Sequence, residues 1–344
     1  MKKIGILTGG GDCPGLNAVI RAVVRKSIQY DWEIIGIKNG WKGLINGEIE
    51  LLTDSSVSGI LPKGGTIIGS SRTNPFKKEE DVKKVLENIK RFRIDALVAI
   101  GGDDTLSVAA KFHKMGIPVV GVPKTIDNDI SGTDYTFGFD TAVSIVTEAI
   151  DRLHSTAESH HRVIVLEVMG RHAGWIATMA GIAGGADEIL IPEEPFDIDE
   201  VCRNLKQRYE RGKTFSIICI AEGAVPKEGN SLITKTDKKD DFGHEQLGGV
   251  GNYLAKEIEK RMDVEVRVTV LGYVQRGGTP TARDRVLATR FGVAAVEAIK
   301  NGNYGKMVAL QGDKIINIDI ESAANASKTV DKELYDIAKV FFGR

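Results

Sequence analysis

Cysteine is scarce in this 344-residue chain: Cys13, Cys202 and Cys219 are the full set. An odd, sparse set makes no disulfide framework and suits a reducing compartment. Cys13 stands in a polar Gly-rich loop where a thiol could be reactive, although an ordinary thiol is the plainer reading. Charge of one sign is also missing. Forty-six basic and 47 acidic residues leave a formal net charge of −1, so no global field draws the chain to nucleic acid or an anionic membrane. Long hydrophobic runs are absent. The first apolar run follows Lys2 and Lys3 but stops at Thr8-Gly9-Gly10, too short for the apolar part of a signal peptide. No stretch approaches a membrane span. A cytoplasmic protein is the expectation. No repeat of 20–50 residues is visible either.

What is present is ordinary for a globular protein, 42% hydrophobic and 27% charged, with 39 glycines. The length is comfortable for two lobes. Short apolar runs that read as strands begin near Ile4, Glu33, Asp95, Pro118, Arg162, Glu188, Phe215, Val264 and Met307. Helical periodicity covers about 16–29, 79–92, 105–115, 139–160, 174–184, 197–211, 249–262, 281–300 and 330–342. Such alternation predicts an α/β fold with mostly parallel sheets covered on both faces. Ligands then bind beyond the carboxyl ends of the strands. Asp197 and Glu200 have capping-box spacing, and the Lys/Glu-rich helix at 79–92 reads as a solvated face. The polar stretch 226–245, with Lys227, Glu228, Gly229, Asn230 and 238–241 (Lys-Lys-Asp-Asp), reads as a surface loop or hairpin with no assignable role. A lobe boundary is expected near 133–140.

Chemistry concentrates at strand ends. The run 8–17 (Thr-Gly-Gly-Gly-Asp-Cys-Pro-Gly-Leu-Asn) could let backbone N–H groups approach an anion, or could simply be a turn. It lacks the Gly-Lys-Ser/Thr ending of a Walker loop and the G-x-G-x-x-G fingerprint. The loop 101–105 (Gly-Gly-Asp-Asp-Thr) looks like a phosphate-and-metal turn before a helix starting at Thr105. Mg²⁺ takes one or two carboxylates and keeps waters, while the plainer role for Asp104 is a helix cap. In 123–129 (Pro-Lys-Thr-Ile-Asp-Asn-Asp), Asp127 and Asp129 are two apart. In an extended loop they point to opposite sides and do different jobs, one of them general base. Turn formation alone would also explain them. Further strand ends carry 169–172 (Met-Gly-Arg-His), Glu222-Gly223, Tyr273 and Arg276. Arginine and glutamate there suit phosphate and sugar hydroxyls.

Six segments, 8–17, 101–105, 123–129, 169–171, 221–223 and 267–278, resemble the 6-phosphofructokinase family in order and spacing, over nearly the whole chain. The resemblance implies the two-lobed, Rossmann-like phosphofructokinase fold. It suggests one lobe of 1–138 plus about 275–325 for phosphoryl donor and metal, and another of about 139–274 plus 326–344 for fructose 6-phosphate. It implies phosphoryl transfer to the 1-hydroxyl of that sugar. Asp127 matches the catalytic base and Asp129 its neighbour near the metal. Asp103 matches the Mg²⁺-associated carboxylate, Thr125 a hydroxyl at the transferring phosphate, and Arg171 the stabiliser of its charge. Gly11 and Arg72 match donor contacts. Met169, Gly170, Glu222 and Arg276 match sugar-phosphate contacts, with Tyr273 where ATP-dependent bacterial members commonly have histidine. Arg162 and Arg267 match arginines that reach a neighbouring subunit's site, which implies a homodimer or homotetramer.

Two departures bear on the donor. ATP-using bacterial members usually have glycine where this chain has Asp104 and Lys124, and pyrophosphate-using members carry aspartate and lysine. Asp104 fills and repels at the place of a nucleotide α-phosphate, and Lys124 donates to pyrophosphate instead. The expectation is a Mg²⁺-dependent, pyrophosphate-using enzyme near equilibrium, serving glycolysis and gluconeogenesis. The alternative is an ATP-dependent member of the same family. A lipid or NAD kinase would share only the 101–105 turn, and a sugar-binding protein would not need Asp103, Asp127 and Asp129. Arg21 and Arg25 fit the family's effector site, but Asp54 stands where a basic residue is common. Strong allosteric control is therefore not expected.

Overall fold

The runs 96–101 and 163–168 are buried along their whole length, which demands a sheet covered on both faces. The computed structural model describes residues 2–228, 232–239, 242–243, 245–324 and 327–344. Its strands are β1 (Lys3–Thr8), β2 (Glu33–Ile37), β3 (Ile49–Leu52), β4 (Ala96–Gly101), β5 (Val119–Thr125), β6 (Phe137–Gly138), β7 (Val163–Val168), β8 (Glu188–Leu190), β9 (Ser216–Ala221), β10 (Thr234–Lys239), β11 (Glu245–Leu247), β12 (Val266–Val270), β13 (Lys306–Gln311) and β14 (Lys314–Asp319). Its α-helices are α1 (Leu16–Ile28), α2 (Trp41–Asn46), α3 (Glu79–Phe92), α4 (Asp103–Lys114), α5 (Phe139–His160), α6 (Trp175–Gly184), α7 (Ile198–Glu210), α8 (Val250–Arg261), α9 (Ala282–Lys300), α10 (Ile320–Ala324) and α11 (Lys332–Lys339).

Among the described residues, two main sheets form. The larger has eight strands in the order β14-β13-β5-β4-β1-β2-β3, with β6 paired to β5 off that path. Its centre is parallel, and antiparallel β14 and β3 close the edges. The smaller, β12-β7-β9-β8, is parallel throughout. β10 and β11 make an antiparallel ribbon that joins neither sheet.

Every expected strand start lies within two residues of an observed one. The strands that lack a readable apolar run have a physical reason, and β6 is only two residues long. β3 and β14 are half-exposed edges, and the ribbon strand β10 reads Thr-Lys-Thr-Asp-Lys-Lys, so none shows a buried apolar run. α2 and α10 are too short for a helical period to register. Within 226–245, the expected hairpin exists as β10 and β11, while Gly229, Asn230, Asp240 and Asp241 lie outside the described residues. At the start of α7, the Asp197 side chain accepts from the Asp199 and Glu200 N–H groups, which is the Asp197 half of the expected capping box.

Crossovers place the working edges together. β1, β4 and β5 deliver the 9–15, 101–105 and 126–129 segments to one edge of the larger sheet. β7, β9 and β12 deliver 169–171, Glu222-Gly223 and the 3₁₀ turn Gly272–Arg276 to the matching edge of the smaller. α5 packs on the smaller sheet and α9 on the larger. Asp284 of α9, 1% exposed, ties them. Its Oδ2 accepts from Thr141 N at 2.8 Å and Thr141 Oγ1 at 2.6 Å. Asp284→Ala strands both donors and should cost about 1–3 kcal/mol in urea unfolding of the whole chain. A loss under about 0.5 kcal/mol would show that the bridge holds nothing.

Candidate active site

A cleft opens between the two sheet edges. Gly10, Gly11, Arg72, Asp103, Asp104, Lys124, Thr125, Asp127, Asp129, Arg171 and Arg276 all line it, so it gathers most of the residues singled out in the sequence. Its walls are built by close backbone approach. Gly9 N donates to Ile100 O at 2.9 Å, and Gly10 N to Ser71 O at 3.0 Å. The Thr105 side chain occupies the space where Gly9 and Gly101 would carry a Cβ. Ser70 Oγ donates to Gly10 O at 2.6 Å, and Ser71 Oγ to Asn39 O at 2.7 Å, which fixes the strand-like strap that presents Arg72.

Helix α4 begins at Asp103, two residues earlier than expected. Gly102 stands at its N-cap, with no side-chain cap. Asp103 and Asp104 therefore occupy the first turn, where the helix polarity favours an anion, and neither acts as the N-cap. Pro123, Lys124 and Thr125 are strand residues of β5, because β6 extends the sheet to Lys124 and Thr125. Lys124 is 3% exposed, and its Nζ donates to Gly11 O at 2.6 Å. Burial, then Arg276 and Arg171, pull its ammonium below the ordinary lysine range, against the opposing pull of Cys13 and Asp127. Burial also pushes the Cys13 thiol up to about 12, in keeping with an ordinary rather than a reactive cysteine.

The expectation that Asp127 and Asp129 face opposite ways fails. Asn128 between them has φ 53°, a left-handed conformation that asparagine tolerates. That turn breaks the extended alternation and brings both carboxylates to one cleft. Asn128 Oδ1 accepts from Thr136 N at 3.0 Å and holds the turn. Asp127 N donates to Thr125 Oγ1 at 3.1 Å, and that hydroxyl donates to Asp127 Oδ2 at 3.2 Å. The buried Oδ1 of Asp127 has no hydrogen-bond partner among the described residues. Burial, then Asp127 and Asp103, push Asp129 up to about 7.

Arg171 comes from the smaller sheet and enters this acidic group, 3.6 Å from Asp103 and 3.9 Å from Asp104. Burial alone would lower its guanidinium, but Asp103, Asp127, Asp104 and Asp129 outweigh burial and raise it. Arg171 has φ 54°, and its carbonyl lies where Gly223 would carry a Cβ. Arg276, 8% exposed, lays Nη1 2.7 Å from where Gly11 would carry a Cβ and donates to Asp12 O at 3.4 Å. Glu222 Oε1 accepts from Arg171 N at 3.3 Å. Met169 N donates to the buried Gln275 at 3.2 Å. Among the described residues, no group of three or more His, Cys, Asp or Glu could hold a metal by itself. The half-exposed Asp103, with Asp129 lining the same cleft, fits instead a Mg²⁺ ion that keeps water and substrate-phosphate oxygens.

Met169, Gly170 and Glu222 do not line the cleft itself but sit beside Arg171 and Arg276 on the smaller sheet's edge, and Arg162, Arg267 and Tyr273 also lie outside it. Arg162 precedes β7, at the opposite end from Arg171, and six strand residues span about 20 Å. Arg162 Nε lies 2.6 Å from Glu265, which Arg267 also pairs. Tyr273 is 81% exposed. Conversely, Trp41, Ser71, Thr73 and Phe242 line the cleft without having been picked out. Gly40-Trp41 after the run 33–37 was a strand end that could have been noticed. Phe242 had no such signal.

Burial, then Asp127, push Glu222 up to about 7, against its bond from Arg171 N–H. The folded state thus binds this proton more tightly than the unfolded chain. The associated stabilisation is complete below the ordinary glutamate range near 4.5 and is lost as pH rises through about 7. Glu222→Gln should flatten the fall in unfolding free energy between pH 5 and 8 in denaturant titrations. An unchanged slope would refute the assignment.

The family model "Phosphofructokinase" matches residues 3–299. A pyrophosphate--fructose 6-phosphate 1-phosphotransferase of Streptomyces coelicolor is 56% identical over 99% of this chain and 100% of its own length. An ATP-dependent 6-phosphofructokinase of Mycobacterium bovis is 53% identical with the same coverage. The solved phosphofructokinase of Saccharomyces cerevisiae superposes with a TM-score of 0.84 at 33% identity, covering 99% of this chain and 47% of that longer one. With a family model over most of its length and full-length relatives above half identity, the chain belongs to the phosphofructokinase family.

Proposed function

We propose that this enzyme moves a phosphoryl group from pyrophosphate to the 1-hydroxyl of fructose 6-phosphate, giving fructose 1,6-bisphosphate and phosphate, with Mg²⁺. The observation that carries the donor is the pairing of Asp104 and Lys124 in one cleft. Relatives named for either donor are 56% and 53% identical, so overall similarity does not choose between donors and local chemistry must. Asp104 puts volume and negative charge beside Gly102 and Thr105, where a nucleotide's inner phosphate would have to pass. Lys124 Nζ, now on Gly11 O, is a cation within reach of a donor phosphate at that loop. A charge-assisted hydrogen bond contributes about 1.5–3 kcal/mol, or one to two decades in affinity.

The chemistry follows from the same atoms. The sugar 1-hydroxyl oxygen attacks phosphorus as the bridging P–O bond breaks, and its proton passes to Asp127. Oδ2 of Asp127 is occupied by Thr125, which leaves Oδ1 to accept that proton. The Thr125 hydroxyl, oriented by Asp127 N–H, lies at the transferring phosphate. Arg171, Lys124 and Gly11 N–H surround the developing charge, and Arg72 contacts the donor from its strap. Asp103, with Asp129 nearby, would hold Mg²⁺, which when bound would supply positive charge to offset that of the phosphates. Met169, Gly170, Glu222 and Arg276 bind the sugar phosphate, and Tyr273, exposed on the same 3₁₀ turn as Arg276, would reach it from outside the cleft.

In this reading the donor lobe is 1–138 plus about 275–325, and the sugar lobe about 139–274 plus 326–344. The crossing between 325 and 326 lies outside the described residues. Arg162 and Arg267 sit too far along β7 and β12 to serve their own cleft, which supports their completing a neighbour's site in a homodimer or homotetramer. Arg25 Nε is 2.8 Å from Asp54, so the acid that replaces a basic residue also engages one of the two effector-site arginines. That supports weak allosteric control. Cytoplasmic location and a part in glycolysis and gluconeogenesis complete the proposal. Among the described residues, no helix is long and apolar enough to cross a membrane.

Turnover with pyrophosphate or ATP as sole donor tests the donor directly, and brisk ATP turnover without pyrophosphate turnover would reject it. Asp104→Gly with Lys124→Gly should cut kcat/KM for pyrophosphate by about one to two decades and admit ATP. An unmoved preference would remove both residues from donor selection. Asp127→Asn should lower kcat by about 10²–10⁴ with little change in KM, read in steady-state assays.

A further inference from the structure

The ribbon β10–β11 has no place in either sheet, yet it connects the cleft to both. It leaves the chain after β9 and returns to α8, so its root belongs to the smaller sheet. That root is firmly held. Ile233 packs against the core around β7, β9 and α8, and Gly248 N donates to Ile233 O at 3.3 Å. Glu167, 2% exposed, accepts from Gly249 N at 3.1 Å and Gly251 N at 2.9 Å and anchors the start of α8. The turn carries Phe242, which packs against a different core, the cluster of the larger sheet that contains Trp41, Leu106 and Phe112. Phe242 also lines the cleft. A two-stranded ribbon alone is marginal in water, so this distant contact is what holds Phe242 at the site.

The lining is otherwise glycine, hydroxyl and charged residues. Its two large apolar side chains are Trp41 and Phe242. Trp41 is 1% exposed and packs at a tilt on Phe112 with centroids 5.3 Å apart, and Phe112 packs at a tilt on Phe76 at 4.8 Å. One apolar wall is thus rigid and belongs to the larger sheet. The other is brought across from the smaller sheet by the ribbon.

We propose that Phe242 is a specificity-determining residue of the donor site. It closes the donor end against Trp41, excludes water from the phosphoryl group, and leaves room for a donor without a nucleoside. This rests on the pyrophosphate reading above. Water at the donor would compete with the sugar: its oxygen forms a P–O bond as the bridging P–O bond breaks, its protons leave to solvent, and two phosphates result. A charged cleft has no means of rejecting water by charge, so an apolar wall must do it.

The test is Phe242→Ala and Phe242→Leu in the full chain, with wild type in the same assay. Wild-type turnover with pyrophosphate reports on the donor reading, and its absence rejects that reading and this one together. If wild type turns over pyrophosphate, Phe242→Ala should lose about tenfold in kcat/KM for it. Phosphate release without sugar should rise relative to transfer, and ATP turnover should rise as well. Phe242→Leu, which keeps an apolar anchor, should fall between the two and guards against a folding defect. Phe242→Ala or Phe242→Leu that folds, stays within about twofold of wild type and shows no added hydrolysis would overturn the role of Phe242 alone.

Discussion

Arg171 reaches from the smaller sheet into a group of carboxylates presented by the larger one, 3.6 Å from Asp103 and 3.9 Å from Asp104. Without it, Asp103, Asp104, Asp127 and Asp129 would share one partly buried space with less compensating charge. The cost is visible even with it, since Asp129 is pushed up to about 7. Arg171 is itself held within the smaller sheet, where its left-handed backbone puts its carbonyl in the space left by Gly223. Neither lobe is electrostatically complete without the other.

That interlock explains why the cleft suits phosphoryl transfer. Carboxylates and cations are already opposed across the cleft. A bound polyphosphate can take over the contacts that Arg171 and Lys124 now make with protein oxygens. Little reorganisation is then needed when charge moves during the reaction. The family relation supplies the reaction class, and the donor turns on side chains that full-length identity does not weigh.

Legibility differed from element to element for physical reasons. β1, β4, β5, β7 and β9 were readable because strands buried on both faces need unbroken apolar runs. β3 and β14 were not, because exposed edges tolerate Glu, Asn and Asp. Asp103, Asp104 and Lys124 stood out as charges at strand ends, where a core cannot use them. The relation between Asp127 and Asp129 was misjudged, because a single left-handed residue, Asn128, reverses the direction that an extended chain would dictate. Phe242 carried no local signal. Its importance comes from a contact with residues more than 100 positions away.

The sequence by itself determined which chemistry the chain can offer and the fold class that carries it. Residue type, apolar period and strand-end position are local properties, and they were sufficient for the strand ends, the acidic and basic groups and the family. Only the tertiary structure decided which of those groups share one space. It brought Arg171 and Arg276 to the donor loops, left Arg162, Arg267 and Tyr273 outside the cleft, and added Trp41 and Phe242 to its walls. Those outcomes depend on the closure of two sheets and a ribbon over long sequence separations, and no local pattern encodes the distance between two strand ends that meet only after folding.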